Sequence, residues 1–289
     1  MNSEIQAMLS FHQVNDPSKS VNAIKEVIQE VVLYALSKTD FFSHAAFYGG
    51  TALRIFYGLN RFSEDMDFSL QTKTSDFSLT RYLPEIEAGL HSYGFEMEAN
   101  QKIKQVQSNI QSAFLKGNTL THFMKIFALT PPISGIHSNA TIKIKFEIDI
   151  DPPGGAFFEK KYKLLPQPYS VMLYDKPSLF AGKLHALLCR SWKSREKGRD
   201  FYDYVWYLKE RVPVNLTHLE ARMRQSGHWQ SPSPLSLSDL KNLLRHRFES
   251  LDLLAIKADV EQFITNPESL DIWSKEFFVA ITEEIRSQE

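Results

Sequence analysis

This sequence has little cysteine, little excess charge and no long apolar run. Cys189 is the single cysteine among 289 residues. One cysteine builds no intrachain disulfide, which fits a reducing compartment and excludes a disulfide scaffold. No apolar stretch approaches the ~20 residues that span a bilayer. The longest, Val31 to Leu36, is flanked by Glu30 and Lys38. The opening residues show no basic segment followed by an apolar one, so no signal peptide is expected. These absences set the expectation of a soluble, cytoplasmic protein without a membrane partner. Lys plus Arg is 33 and Asp plus Glu is 34, a formal net charge of −1. Any nucleic-acid partner must therefore be met by a local basic patch.

Several chemistries are also missing. The nine histidines show no HExxH spacing and have no cysteine partners, so no zinc site is expected. There is no G-x-S-x-G elbow and no P-loop string. No repeat or low-complexity tract occurs. Hydrophobic residues are 43% and charged residues 23%, the balance of a globular chain with a sizeable core.

What is present has an order. Helical spacing covers 20–37, with Val21, Ile24, Ile28, Val31 and Ala35 on one stripe. Ala46 to Tyr48 is a short apolar run that stops at Gly49-Gly50. A helix over Thr51 to Tyr57 follows, stopped by Gly58. Met66 to Leu70 reads as a strand, Leu79 to Tyr93 as mainly helix, and Phe95 to Gln101 and Asn109 to Leu115 as weaker strands. Asn118 to Ala128 reads as helix. Ile142 to Ile150 alternates cleanly, with Ile144, Phe146 and Ile148 on one face and Lys145, Glu147 and Asp149 on the other. Tyr169 to Leu173 is a further strand. From Pro177 the pattern turns helical: to about Trp192, then 199–209, 215–225, 238–249, 252–265 and 269–286. The expected fold class is α+β, with a mixed-sheet domain at 1–175 and a helical domain at 176–289.

Four stretches carry candidate chemistry. Gly49-Gly50-Thr51 joins a strand to a helix. Read alone it is a tight turn first and a phosphate loop second, because the helix N-terminus offers unpaired N–H groups. Asp65 and Asp67 are two apart around a strand start, so their carboxylates project together. Aspartate is depleted in strands, and such a pair suits a hard cation such as Mg²⁺. A third carboxylate comes from Glu147 or Asp149, which spacing does not separate, although Glu147 is better centred. Between Lys176 and Arg199 lie Lys183, Arg190, Lys193, Arg195 and Lys197 against one acid, Glu196. This is a solvated charged surface or a patch for triphosphate and RNA backbone. Asp200 and Asp203 follow at a helix start, where the dipole alone explains acids. Cys189 reads as a small core residue.

The strings Gly49-Gly50-Thr51-Ala52-Leu53, Arg61-Phe62-Ser63-Glu64-Asp65-Met66-Asp67-Phe68, Ala181-Gly182-Lys183-Leu184-His185 and Gly198-Arg199-Asp200-Phe201-Tyr202-Asp203 resemble, in order, the motifs of the AbiEii/AbiGii nucleotidyltransferase toxins. The resemblance spans roughly residues 25–210. It implies a polymerase-β-like nucleotidyltransferase fold and the toxin of a toxin–antitoxin or abortive-infection pair, with a cognate antitoxin. It implies NMP transfer from an NTP to RNA, with a tRNA 3′ end as acceptor and Mg²⁺ as cofactor. By the same resemblance Gly49, Gly50, Thr51, Ser63, Lys183 and Arg199 hold the nucleotide. Asp65, Asp67 and Glu147 hold the metal, and Asp65, Asp67, Lys183, Asp200 and Glu147 are catalytic, Glu147 being the weakest carry-over. Two alternatives stand beside this reading: a protein or small-molecule acceptor, and a non-catalytic NTP-binding module.

Overall fold

The computed structural model describes residues 3–12, 17–74, 76–100, 119–128, 141–190 and 196–288. Its elements in chain order begin with α1 (Ser3–Ser10), α2 (Pro17–Ser37), α3 (Phe41–His44), β1 (Ala45–Tyr48), α4 (Gly49–Tyr57) and β2 (Met66–Leu70). Then come α5 (Leu83–Ser92), β3 (Phe95–Asn100), β4 (Thr119–Ala128), β5 (Thr141–Asp149), β6 (Phe158–Lys163) and β7 (Tyr169–Tyr174). Helices complete the chain: α6 (Lys176–Cys189), α7 (Gly198–Lys209), α8 (Leu216–Gln225), α9 (Leu237–Glu249), α10 (Leu253–Glu261) and α11 (Lys275–Thr282).

The strands form one sheet in the order β3-β4-β5-β2-β1-β7-β6. It is mixed: β2 runs parallel to β5 and β1 parallel to β7, while the other neighbours are antiparallel. The fold is therefore α+β, as the segregation of strands before helices predicted. β2 sits in the middle, so its side chains alternate between a core and an opposite, polar face. Met66, Phe68 and Leu70 are fully buried. Phe68 stacks on Phe146 of β5 with ring centroids 4.5 Å apart, and Phe41 meets Phe68 edge-on at 5.1 Å. That aromatic stack anchors β2 and β5 in one register, which pairs Asp67 with Glu147 on the other face.

Buried side chains form two clusters. One joins α2, α5 and the sheet through residues such as Ile28, Val31, Phe47 and Ile148. The other joins the helices after β7 through Phe180, Tyr204, Tyr207, Phe248 and Phe278, and also takes Ala46, Leu53 and Leu59. Local chemistry starts these later helices. Asp175 accepts from Ser178 N at 2.9 Å at the head of α6, and Asn215 accepts from His218 N at 3.0 Å at the head of α8. α7 is capped from outside instead: Gly198 N donates to Asp259 Oδ2 of α10 at 2.8 Å. A Cβ on Gly198 would lie 2.0 Å from the Ile256 carbonyl oxygen, so this helix crossing requires glycine.

Three expectations need correction. The 118–128 segment is a strand, not a helix. Leu120, Phe123, Met124 and Phe127 have helical spacing, but β4 is hydrogen-bonded to β3 on one edge and β5 on the other, and pairing outweighs local periodicity. β6 went unpredicted because Phe-Glu-Lys-Lys-Tyr-Lys is too charged to read as a strand; it is an edge strand, where lysine is at home. The last helix covers only Lys275–Thr282, preceded by a 3₁₀ turn at Pro267–Leu270, rather than the whole of 269–286. The strand expected at Asn109 to Leu115 lies outside the described residues.

Candidate active site

The polar face of the sheet carries the carboxylates. Asp65 stands in extended chain just before β2, and Asp67 is the second residue of the strand. Asp67 is flanked by Tyr48 of β1 and Glu147 of β5 in register. Burial pushes the Asp67 carboxyl up to about 7, with the charges of Asp65 and Glu147 adding to the rise. Burial also raises Asp65, against Lys145 and with Glu147. Lys145 Nζ lies 2.6 Å from Glu147 Oε1, two residues along the same strand. Asp149 pairs with Ser69 instead, and its Oδ1 accepts from Asp151 N at 3.0 Å. Arg222 of α8 is the cation near it. The register thus separates Glu147, beside Asp67, from Asp149, two pairs further on.

The glycine loop is built against this pair. Gly49 has φ +81°, and a Cβ there would stand 2.5 Å from Asp67 Oδ2. A side chain at Gly50 would meet Arg61 Nη2 at 2.8 Å and Ser63 Oγ at 2.9 Å. No side chain caps the N-terminus of α4, so its first N–H groups are left for an external acceptor. Thr51 is fully buried and its hydroxyl donates to the Asp65 carbonyl. Its side chain therefore fixes the backbone at Asp65 rather than facing a ligand. Ser63 stays beside Gly50, with its carbonyl held by Gln29 Nε2 at 3.2 Å.

The helical half supplies matched charges. Lys183 of α6 places Nζ 2.6 Å from Asp200 Oδ1 and 2.7 Å from Asp203 Oδ2. Arg61, from the loop ahead of Asp65, reaches the same Asp203 with Nε and Nη2, both at 2.6 Å. Arg61 and Asp203 are 3% and 0% exposed, so this pair is shut away from water. Burial alone would raise Asp200, but Lys183 and Arg190 beside it hold its carboxyl down at about 2. Arg190 lies past the end of α6, with Nη1 3.8 Å from Asp200 Oδ2. Arg199 lies over the Phe263 ring at 4.1 Å and offsets part of the burial-driven rise of the Asp65 carboxyl. Burial, then Arg190, depresses Lys197. Lys193 and Arg195 of the basic stretch are outside the described residues.

A sequence profile described as "Nucleotidyl transferase AbiEii toxin, Type IV TA system" matches residues 31–280. The chain belongs to this family. It is a nucleotidyltransferase of the AbiEii toxin family, and membership brings with it an NTP substrate and a cognate antitoxin. The crystal structure of JHP933 from Helicobacter pylori is 17% identical, with 91% of this chain and 90% of that chain covered at a TM-score of 0.50. The nucleotidyltransferase toxin MenT4 of Mycobacterium tuberculosis is 18% identical over 98% and 99% of the two chains, at a TM-score of 0.43. The first likeness supports the fold; the second is looser and supports nothing further. No curated protein matches the sequence.

For an AbiEii-family enzyme the arrangement is coherent. Gly49, Gly50, Ser63, Asp65, Asp67 and Glu147 come together on the sheet side, and Lys183, Arg199 and Asp200 on the helical side. Electrostatic reach spans the two halves, since Arg190 acts on Asp67 and Arg199 on Asp65. No group of three or more His, Cys, Asp or Glu side chains among the described residues forms a ready metal cage. The donor set nonetheless suits a hard divalent cation, because Asp65, Asp67 and Glu147 gather three oxygen-only groups around Lys145, with Arg190 and Arg199 acting on them from the helical side. Sequence reasoning missed Arg61 and Asp203 as site residues. Asp203 was visible three residues after Asp200 but was accounted for by the helix dipole. Nothing in the sequence links it to Arg61, 142 positions away. Cys189 is buried and its thiol is pushed up to about 12 by burial, in keeping with a core residue. Among the described residues no helix is long and apolar enough to cross a membrane.

Proposed function

We propose that this protein transfers NMP from an NTP to an RNA 3′ end, with tRNA as the acceptor, as a cytoplasmic, Mg²⁺-dependent toxin. The observation that carries this reading is the Asp65–Asp67 pair set against the Gly49 loop, with Lys183 and Asp200 opposite. Asp65 and Asp67 would hold the metal, with Glu147 rather than Asp149 as the third carboxylate, because the register sets Glu147 beside Asp67. When bound, Mg²⁺ supplies charge neutralisation at the phosphoryl group and acidifies a nearby hydroxyl.

The chain's own groups do the positioning. The uncapped N–H groups of α4 face the triphosphate, and Lys183 balances its charge. An acceptor hydroxyl attacks the α-phosphorus and loses its proton to a carboxylate of the Asp67–Glu147 pair. A new phosphodiester forms, the α–β phosphoanhydride bond breaks, and pyrophosphate leaves. Arg190, Lys197 and Arg199 form the cationic rim along which an RNA backbone is guided. We propose the division of labour as two domains, 1–175 for the carboxylates and loop and 176–289 for the cations.

The test is incubation of total tRNA with each α-³²P-labelled NTP and Mg²⁺, beside Asp67→Ala. Asp67-dependent label on tRNA is expected. Label on protein or a small molecule instead would replace the acceptor. NTP binding with no pyrophosphate release would sink transfer altogether.

A further inference from the structure

We infer that Asp203, locked in place by Arg61, is the positioning residue that aims Lys183 at the triphosphate. The inference rests on the reading of Lys183 as a triphosphate contact.

The two aspartates are three apart on α7 and both touch Lys183, yet they are held differently. Asp203 is fully buried and both its oxygens are engaged by one guanidinium: Oδ1 accepts from Arg61 Nε and Oδ2 from Arg61 Nη2, each at 2.6 Å. A bidentate pair of this kind fixes the carboxylate plane as well as its position. Oδ2 also stands 2.7 Å from Lys183 Nζ. The ammonium is therefore located by a carboxylate that has no freedom to turn. Asp200 uses Oδ1 on Lys183 at 2.6 Å, while its buried Oδ2 makes no hydrogen bond and lies 3.8 Å from Arg190 Nη1. Asp200 therefore holds Lys183 by one oxygen of a carboxylate that no bidentate partner locks, unlike Asp203.

Arg61 ties this arrangement to the sheet side. It precedes Asp65 by four residues, donates from Nη1 to the Phe62 carbonyl at 3.0 Å, and packs where a Gly50 side chain would be. Gly50, Arg61, Asp203 and Lys183 thus form one continuous brace from the phosphate loop to the lysine. A purely structural ion pair has no need to share an oxygen with the lysine. Lysine has a flexible stem and three rotatable donors, so two fixed acceptors are a direct way to hold its aim.

The test is a double-mutant cycle on NTP binding, read by equilibrium dialysis with each α-³²P-labelled NTP. Lys183→Met should weaken binding. Asp203→Asn should weaken it about tenfold, the scale of one charged hydrogen bond. In the Lys183→Met background Asp203→Asn should change nothing further, because it acts through the lysine. Should Asp203→Asn melt below the assay temperature, Arg61→Lys replaces it, keeping the charge but losing the two-point grip. Additive losses, or no loss from Asp203→Asn, would overturn the inference while leaving the Lys183 contact standing. No effect of Lys183→Met would overturn both.

Discussion

Two groups of charged side chains make the proposed site, and they are assembled in opposite ways. On the sheet side Asp65, Asp67 and Glu147 share a single lysine, Lys145, and Asp67 is driven up to about 7 by burial and its acidic neighbours. On the helical side Asp203 holds both Arg61 and Lys183, and Asp200 holds Lys183 as well, at 2.6–2.7 Å. One cluster is electrostatically incomplete and the other is closed. Crowded like charges cost stability and are retained where a ligand completes them. A closed buried cluster holds structure, and it fails when one member is removed.

That contrast can be broken in order of expected effect. Asp67→Asn should lower transfer by at least about a thousandfold, since it removes a central ligand of the proposed metal pair. Its melting temperature should stay level or rise, because a buried, crowded negative charge is gone. Asp203→Leu should do the reverse, leaving Arg61 buried without its partner, at a cost of about 3–5 kcal/mol in urea unfolding. Equal stability losses in the two variants would remove the distinction between the clusters.

Gly49→Ala is next. The new Cβ meets Asp67 Oδ2 at 2.5 Å from a backbone at φ +81°, so a loss of about 1–3 kcal/mol is expected, together with loss of transfer. Wild-type stability from Ala at this position would show that the loop relaxes freely.

Acid sensitivity should begin away from both clusters. Burial first, then Arg222, holds His185 at about 2 and His218 at about 3. An unfolded histidine titrates near its ordinary value of about 6.5, so the unfolded chain binds more protons below that pH. Stability is full above pH ~6.5 and falls as pH drops, by up to about 1.4 kcal/mol per unit for each histidine. Asp200 contributes later: its stabilisation is present above pH ~4 and is lost as pH falls toward about 2. Urea midpoints between pH 7 and 4 check this. Asp67, raised to about 7, takes up its proton over the same range and opposes this fall; in Asp67→Asn, which lacks that offset, a flat profile down to pH 4.5 would contradict the neutral buried imidazoles.

The comparison also explains what the sequence disclosed. Gly49-Gly50 and Asp65-x-Asp67 were legible because their chemistry is local: two residues on one strand face, and glycines where a strand meets a helix. The α2, α4, β2, β5 and α7 elements were legible for the same reason, each having its own periodicity or stop signal. The closed cluster was not. Arg61 and Asp203 acquire their role only when α7 packs on the loop before β2, a contact between distant parts of the chain. β4 was misread because its apolar spacing suits a helix until β3 and β5 claim its edges. Glu147 and Asp149 were inseparable until the β2–β5 register placed one beside Asp67 and the other beside Ser69.

The central claim is that the sheet-side carboxylates await a divalent cation. Thermal unfolding of the wild type and Asp67→Asn, with MgCl₂ raised from zero to 20 millimolar (about the range in which weak carboxylate sites fill), tests it most directly. The account predicts a rising melting temperature in the wild type and none in Asp67→Asn. The same rise in both proteins would contradict it, as would no rise in the wild type.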